Sequence, residues 1–388
     1  MIDEMKAMRI LHTADWHLGR EFHGADLSEA HEAFFDWLAS QVKSREIDLV
    51  VMAGDIFDRA LPPVKAIEMF NRNVDRLADL APIVLVSGNH DSAVRMGYGP
   101  LLRPGIFLRS GIDGIGDPVL FEDGPFPLAV YAIPYLDPIT SAPGLDALEA
   151  SHDGVLSAAT GACRDDLRGR REGTRSLAIG HAFIAGAKTS DSERGINVGG
   201  SDQIAAEVFD GFDYVALGHL HRPQRVSERI RYSGSPLYLS FSEVGADKSV
   251  SVVELQADGT IEVEEVPVPS GFRVVRLKGE IKELLEDERY FEYENDWLEI
   301  ELSDTKRPDV PKERLDRRFH HLLSLRFSGP ARDKIEQEAE ELERLAAQKP
   351  VELVSAFIEH VRGVGPDTPE VEMLEQALAN SASSDVRS

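Results

Sequence analysis

The stretch Ile83-Val84-Leu85-Val86-Ser87-Gly88-Asn89-His90-Asp91 fixes the architecture of this chain. Four apolar residues, mostly β-branched, run without a polar break, the pattern of a strand buried on both faces. A small residue and a glycine end the run, and an amide, an imidazole and a carboxylate follow at once. The same pattern occurs four more times. Met8-Arg9-Ile10-Leu11 leads to Asp15 and His17, and Leu49-Val50-Val51-Met52-Ala53-Gly54 leads to Asp55. Leu177-Ala178-Ile179-Gly180 leads to His181, and Tyr214-Val215-Ala216-Leu217-Gly218 leads to His219 and His221. A sharp turn after each strand places the next side chain at a sheet edge.

Between the strands, apolar residues spaced by three and four predict helices over 27–42 and 64–80, the second introduced by Pro62-Pro63. Alternating strand and helix make the fold class α/β. Apolar runs at 128–133 and 249–253 end in no ligand and belong to the body of the sheets. After Pro267-Val268-Pro269-Ser270-Gly271 the pattern changes to a small α+β unit, with strands at 272–277, 297–302 and 322–327 and helices at 280–286 and 312–318. Beyond Gly329-Pro330, amphipathic helices are expected at 334–347 and 351–361, a third stretch at 369–378, and a frayed tail from 381. The expected division is therefore 8–266, 267–330 and 331–388.

The 388 residues suit two or three domains, and 42% hydrophobic with 28% charged residues is too apolar for a disordered chain. The single cysteine, Cys163, excludes an internal disulfide and favours a reducing compartment. No apolar run reaches the roughly 18 residues of a membrane helix. Acids occupy the N-terminus where a signal peptide carries bases, so a cytoplasmic protein without a membrane role is expected. The net charge of −26 speaks at first against a nucleic-acid partner.

Two aspartates, one asparagine and four histidines stand at the ends of five strands. Carboxylate, amide oxygen and imidazole together suit manganese, iron or zinc better than magnesium or calcium. Seven ligands exceed one ion and fit two that share a carboxylate; such a pair clamps the attacking and leaving oxygens of a displacement at phosphorus. Taken singly, each motif has a plainer explanation. An aspartate after a strand is commonly a helix cap, and Gly-Asp is commonly a turn. Five such sites at the same structural point are not independent coincidences.

The series Asp15-Trp16-His17, Gly54-Asp55, Gly88-Asn89-His90-Asp91, Gly180-His181 and Gly218-His219-Leu220-His221 resembles the calcineurin-like metallophosphoesterases, and among them the SbcD family of nuclease subunits. Leu11 to Gly19, Gly54 to Arg59, Tyr232-Ser233-Gly234-Ser235-Pro236 and Ser240-Phe241-Ser242-Glu243 carry the closer likeness. The resemblance implies a β-sandwich flanked by helices, with a capping domain that binds DNA and C-terminal helices. It implies two divalent ions, manganese above others. Asp15, His17 and His221 would hold one ion, Asn89, His181 and His219 the other, and Asp55 would bridge. His90 would lie beside the scissile phosphate, and Asp58 would orient it. Arg95, Arg222 and Arg225, with Arg103, Arg109, Arg229 and Arg231, are candidates for the DNA backbone. His12, His23 and His31 fit no ligand position.

The family also implies double-strand exonuclease and single-strand or hairpin endonuclease action in DNA repair and recombination. It implies a homodimer, with 64–80 one candidate contact, and an SbcC-like coiled-coil ATPase gripped by residues 331–378. This sequence contains no Gly-x-x-x-x-Gly-Lys-Ser/Thr segment, so ATP hydrolysis is expected from that partner. Met8 is the expected natural start. Two other readings stay open: a cyclic-nucleotide phosphodiesterase or phosphatase, although Ala60 stands where the phosphatase signature has glycine, and a non-catalytic binding module. Residues 1–250 hold 36 acids and 24 bases, and 331–388 hold 13 and 6, so the acidity is densest outside the catalytic body. DNA binding by the isolated chain is expected to be weak and salt-sensitive.

Overall fold

The computed structural model describes residues 7–97, 103–193 and 203–328, and beyond them 351, 354, 355, 358, 362–371, 373, 374, 376 and 377. The helices expected at 334–347, most of 351–361 and the tail from 381 lie outside the described residues.

Five strands carry the ligand motifs: β1 (Met8–Thr13), β2 (Leu49–Ala53), β3 (Ile83–Val86), β4 (Arg175–His181) and β5 (Tyr214–Gly218). They divide between two six-stranded sheets. In the first, β1, β2, β3 and the strand Ile106–Arg109 run parallel, and Ser249–Leu255 pairs antiparallel to β1 with Ile10 opposite Val253. In the second, Leu128–Ala132, β4, β5 and Ile230–Tyr232 run parallel. Parallel strands share one polarity, so their C-terminal ends, with the loops that follow them, collect at one edge of each sheet.

The alternation of side chains explains why the runs are apolar throughout. Ile10, Val51, Val84, Val86, Leu177, Ile179, Tyr214 and Ala216 belong to one core made by both sheets. Their neighbours Leu11, Val50, Met52, Ile83 and Leu85 face α1 (Ser28–Ser44) and α2 (Val64–Ala78) on the outside. Ala178, Val215 and Leu217 face α3 (His152–Arg168) on the other outside. Each sheet therefore buries both faces, which gives the sandwich flanked by helices expected of the sequence. Ser151 caps α3 by accepting the Gly154 N–H at 3.0 Å.

By contacts the chain divides into two units. Of the described residues, the first unit takes those within 7–276, 293–299 and 319–324, and the second those within 277–292 and 300–318 and those from 325 onward. A three-stranded sheet of Val274–Gly279, Trp297–Leu302 and His321–Phe327 has Trp297–Leu302 at its centre. Within the second unit, Leu284 and Leu315 are buried, and Arg318 donates to the carbonyls of Leu284 and Asp287 at 2.8 and 2.9 Å.

Trp16 lies between two candidate ligands and packs edge-on against Phe35 of α1, with ring centroids 5.0 Å apart. Phe35→Ala is expected to cost about 3–5 kcal/mol of stability, typical of a fully buried Phe; urea unfolding measures it. A change within about 1 kcal/mol would show that α1 does not brace this loop.

Candidate metal centre

The loops after the strands are held in costly shapes. Asp15, His17, Asp55 and His219 all have positive φ, between 46° and 100°, a region that side chains other than glycine rarely enter. Backbone hydrogen bonds hold the first two loops side by side: Asp15 N–H to Gly54 O at 3.0 Å, His17 N–H to Asp55 O at 3.0 Å and Leu18 N–H to Ile56 O at 2.9 Å. The Asp91 carboxylate then ties the β2 loop to the β3 loop. It accepts from the N–H groups of Gly88, Ile56 and Phe57 at 2.9–3.0 Å. Burial pushes that carboxyl up to about 7, with Asp55 adding to the effect. Glycine is required at 88, where a Cβ would stand 2.1 Å from Asp55 Oδ1, and at 54, where it would meet the His181 ring at 2.3 Å.

Each aspartate splits its two oxygens between structure and site. Asp15 Oδ1 accepts the His219 N–H at 2.9 Å, and Asp55 Oδ1 accepts the His90 N–H at 2.9 Å. Asp15 Oδ2 is buried with no hydrogen-bond partner. Asp55 Oδ2 lies 3.5 Å from His17 Nε2 and 3.5 Å from His181 Nε2. On the His17 side, His17 Nε2 and His221 Nε2 are 3.0 Å apart, and the ligand atoms of Asp15, His17, Asp55 and His221 all lie within 4.8 Å of one another. On the His181 side, Asn89 Oδ1 is 2.9 Å from His181 Nε2 and 3.0 Å from His219 Nδ1.

The electrostatics match a place for cations. Burial holds His17 and His219 down at about 3, so both imidazoles are neutral and able to ligate. Burial pushes Asp15 up to about 7, against the lowering pull of His181 and His221. Burial also opposes a charged His181, but the Asp55 carboxylate overrides it and raises that histidine to about 9. An orphaned buried carboxylate oxygen and a pair of imidazole nitrogens at contact distance are both satisfied by divalent ions.

All seven ligand candidates from the sequence converge here. So does His90, buried and edge-on to His17 with centroids 4.7 Å apart. The expected role of the Asp58 side chain needs correction. His90 Nδ1 bonds the Asp58 backbone carbonyl at 2.7 Å, whereas the Asp58 carboxylate takes Arg20 at 2.9 Å and stands 3.7 Å from His17 Nδ1. Against burial, His17 and Arg20 together hold the Asp58 carboxyl well below the usual carboxylate range.

Several arginines expected at DNA are already engaged. Arg103 pairs with Asp75 and Asp79 of the α2 region, Arg229 with Asp213, and Arg231 with Glu265. Arg225 meets Glu228 at 3.6 Å, and Arg222 donates to the Ser242 carbonyl. Arg95 is exposed. His12 is buried against Tyr214 Oη at 3.0 Å and the Leu217 carbonyl at 3.1 Å, and His31 bonds the Trp16 carbonyl, as residues outside the ligand set. Two groups escaped sequence reasoning. Asp91 was legible only as part of a motif, and Ser192, Glu193 and Lys248, which gather with Glu243 behind His221, carried no signal.

Residues 8–223 match the calcineurin-like phosphoesterase family, and 272–362 match the family described as type 5 capsule protein repressor C-terminal domain. The SbcD subunit of the nuclease SbcCD from Escherichia coli K12 is 36% identical over 318 residues, covering 76% of this chain and 78% of that protein. The chain belongs to the SbcD branch of the calcineurin-like phosphoesterases. The corresponding protein of E. coli O157:H7 matches to the same extent. Among solved structures, TT1561 of Thermus thermophilus aligns at a TM-score of 0.39 and 12% identity, over 67% of this chain and 99% of that one. No helix among the described residues of this SbcD-family chain is long and apolar enough to cross a membrane.

Because the Asp58 carboxylate stands 3.7 Å from His17 Nδ1, Asp58→Ala in this SbcD-family chain is expected to weaken divalent-ion binding by about tenfold. Calorimetric titration checks this; unchanged affinity with reduced turnover would return Asp58 to the His90 side.

Proposed function

We propose that this chain is a metal-dependent DNA nuclease subunit that hydrolyses phosphodiester bonds together with an SbcC-like ATPase. The observation that carries this is the position of Asp55 Oδ2, 3.5 Å from one histidine of each ligand group. Asp15, His17 and His221 would hold one ion, Asn89, His181 and His219 the other, with Asp55 shared. Manganese is the proposed ion, since nitrogen and oxygen donors are mixed. Bound there, the ions supply Lewis acidity toward a phosphate and a nucleophile from water at neutral pH.

The chain's own residues do the rest. With Asp58 O accepting at Nδ1, the His90 ring carries its proton there and presents Nε2 toward the cluster, 4.0 Å from Asp55 Oδ2. With Nε2 protonated as well, that edge can donate to a phosphate oxygen or deliver its proton to the departing sugar oxygen. Arg95, Arg222 and Arg225 are proposed to meet the DNA backbone; Arg95 and Arg225 are exposed, and Arg222 adjoins His221. Action on double-strand ends, single strands and hairpins follows the family, as does cytoplasmic work in DNA repair.

The catalytic domain is proposed at 8–266, a DNA-binding cap at 267–330, and the partner-binding helices at 331–378. A homodimer contact is proposed at 64–80, where Val64, Ile67 and Leu80 expose apolar surface.

Purified chain with manganese is expected to cleave linear DNA and to lose that activity in EDTA. His90→Ala should retain manganese while cleaving about 10²–10⁴-fold more slowly, the usual weight of a positioned proton donor. Activity confined to a small phosphodiester such as bis(4-nitrophenyl) phosphate would overturn the nuclease assignment.

A further inference from the structure

A buried chain of polar groups runs behind His221, away from the ligand cluster. His221 Nδ1 lies 2.6 Å from Ser192 Oγ, and Ser192 in turn hydrogen-bonds Glu243 Oε1. Glu243 Oε2 takes the Lys248 ammonium at 2.5 Å and the Leu239 N–H at 3.1 Å. Lys248 also donates to the His221 carbonyl at 2.9 Å and to Ser235 Oγ at 2.8 Å, while Glu193 Oε1 accepts the His221 N–H at 2.9 Å. Ser192, Ser235, Glu243 and Lys248 are all buried. The histidine is thus gripped at ring, amide and carbonyl, by Ser192, Glu193 and Lys248 in turn, with Glu243 behind Ser192.

Counting protons fixes the direction of the chain. Glu243 bears the charge that matches Lys248, so both of its oxygens can only accept. Its Oε1 lies 3.5 Å from Ser190 and far closer to Ser192, so the Ser192 hydroxyl proton goes to Glu243. Ser192 Oγ must then accept from His221 Nδ1–H, because a serine has one proton to give. In the neutral ring this leaves the lone pair on Nε2, the atom 3.0 Å from His17 Nε2.

We propose that Glu243, acting through Ser192 and held by Lys248, is a positioning element that locks His221 in its Nδ1–H tautomer and aims Nε2 as a donor. This rests on the two-ion reading of the site and adds to it the groups that preset one ligand. Partners of this kind behind a metal-binding histidine fix its tautomer and raise its basicity, and losing one typically costs about 10–100-fold in metal affinity. Glu243 itself is a poor first target, since its removal strands a buried ammonium. Ser192→Ala breaks the relay and leaves the Glu243–Lys248 pair intact.

The test uses full-length, metal-free protein and two readouts. Long-range ¹H–¹⁵N correlation spectra report the His221 tautomer, with His221→Gln identifying its resonances; manganese calorimetry reports affinity. Wild type should show Nδ1–H. Ser192→Ala should lose that preference and bind manganese at least about tenfold more weakly, and Ser192→Thr, which keeps the hydroxyl, should restore both. An Nε2–H tautomer in the wild type, or a folded Ser192→Ala with unchanged tautomer or affinity, overturns the inference and leaves the metal centre standing. Wild type that binds no manganese overturns the metal centre and this inference with it.

Discussion

The structure depends on keeping two carboxylates, Asp15 and Asp55, where water barely reaches them. Desolvating a carboxylate is costly unless charge and hydrogen bonds compensate. Each of these aspartates receives one backbone N–H, from a loop at the end of a different strand. The bond from His219 to Asp15 joins the two sheets, because the donor follows β5 and the acceptor follows β1. The bond from His90 to Asp55 joins neighbouring strands of the first sheet. The oxygens left over then point inward, and the electrostatic deficit they create is what makes the cluster a place for cations. Fold and chemistry are thereby one construction, in which the sheets must close for the carboxylates to be satisfied.

Much of this was legible in the sequence, for a physical reason. A strand buried on both faces is a continuous apolar run, and a turn at its end puts the following polar residues at the sheet edge. Asp15, His17, Asp55, Asn89, His181, His219 and His221 each occupy that position, so periodicity alone gathered them. Helices α1 and α2 appear within a few residues of the expected bounds because their apolar spacing records the sheet they cover.

What the sequence did not disclose depends on which atom of a residue does the work, and on partners far along the chain. Asp58 lies close to His90, but its carbonyl makes the contact while Arg20, 38 residues away, takes the carboxylate. Arg103, Arg229 and Arg231 look like a basic flank when counted along the sequence, and their acids come from elsewhere in the fold. Ser192 reaches His221 across 29 residues and Glu243 across 51, with no periodic pattern to announce either. Local spacing encodes burial, whereas hydrogen-bond partners are set by the tertiary arrangement.

The left-handed backbone at Asp15, His17, Asp55 and His219 has a consequence for how such a protein changes over generations. Each of these residues holds a conformation that costs on the order of 1–3 kcal/mol, in a fold whose net stability is of the order of 5–15 kcal/mol. Glycine at any of them would relieve strain and, by the same change, delete a ligand. Selection for hardiness alone therefore acts against the centre, and selection for hydrolysis holds the strain in place. The loops around the cluster are where lineages freed from the need for catalysis would drift first, with the sandwich beneath them left intact.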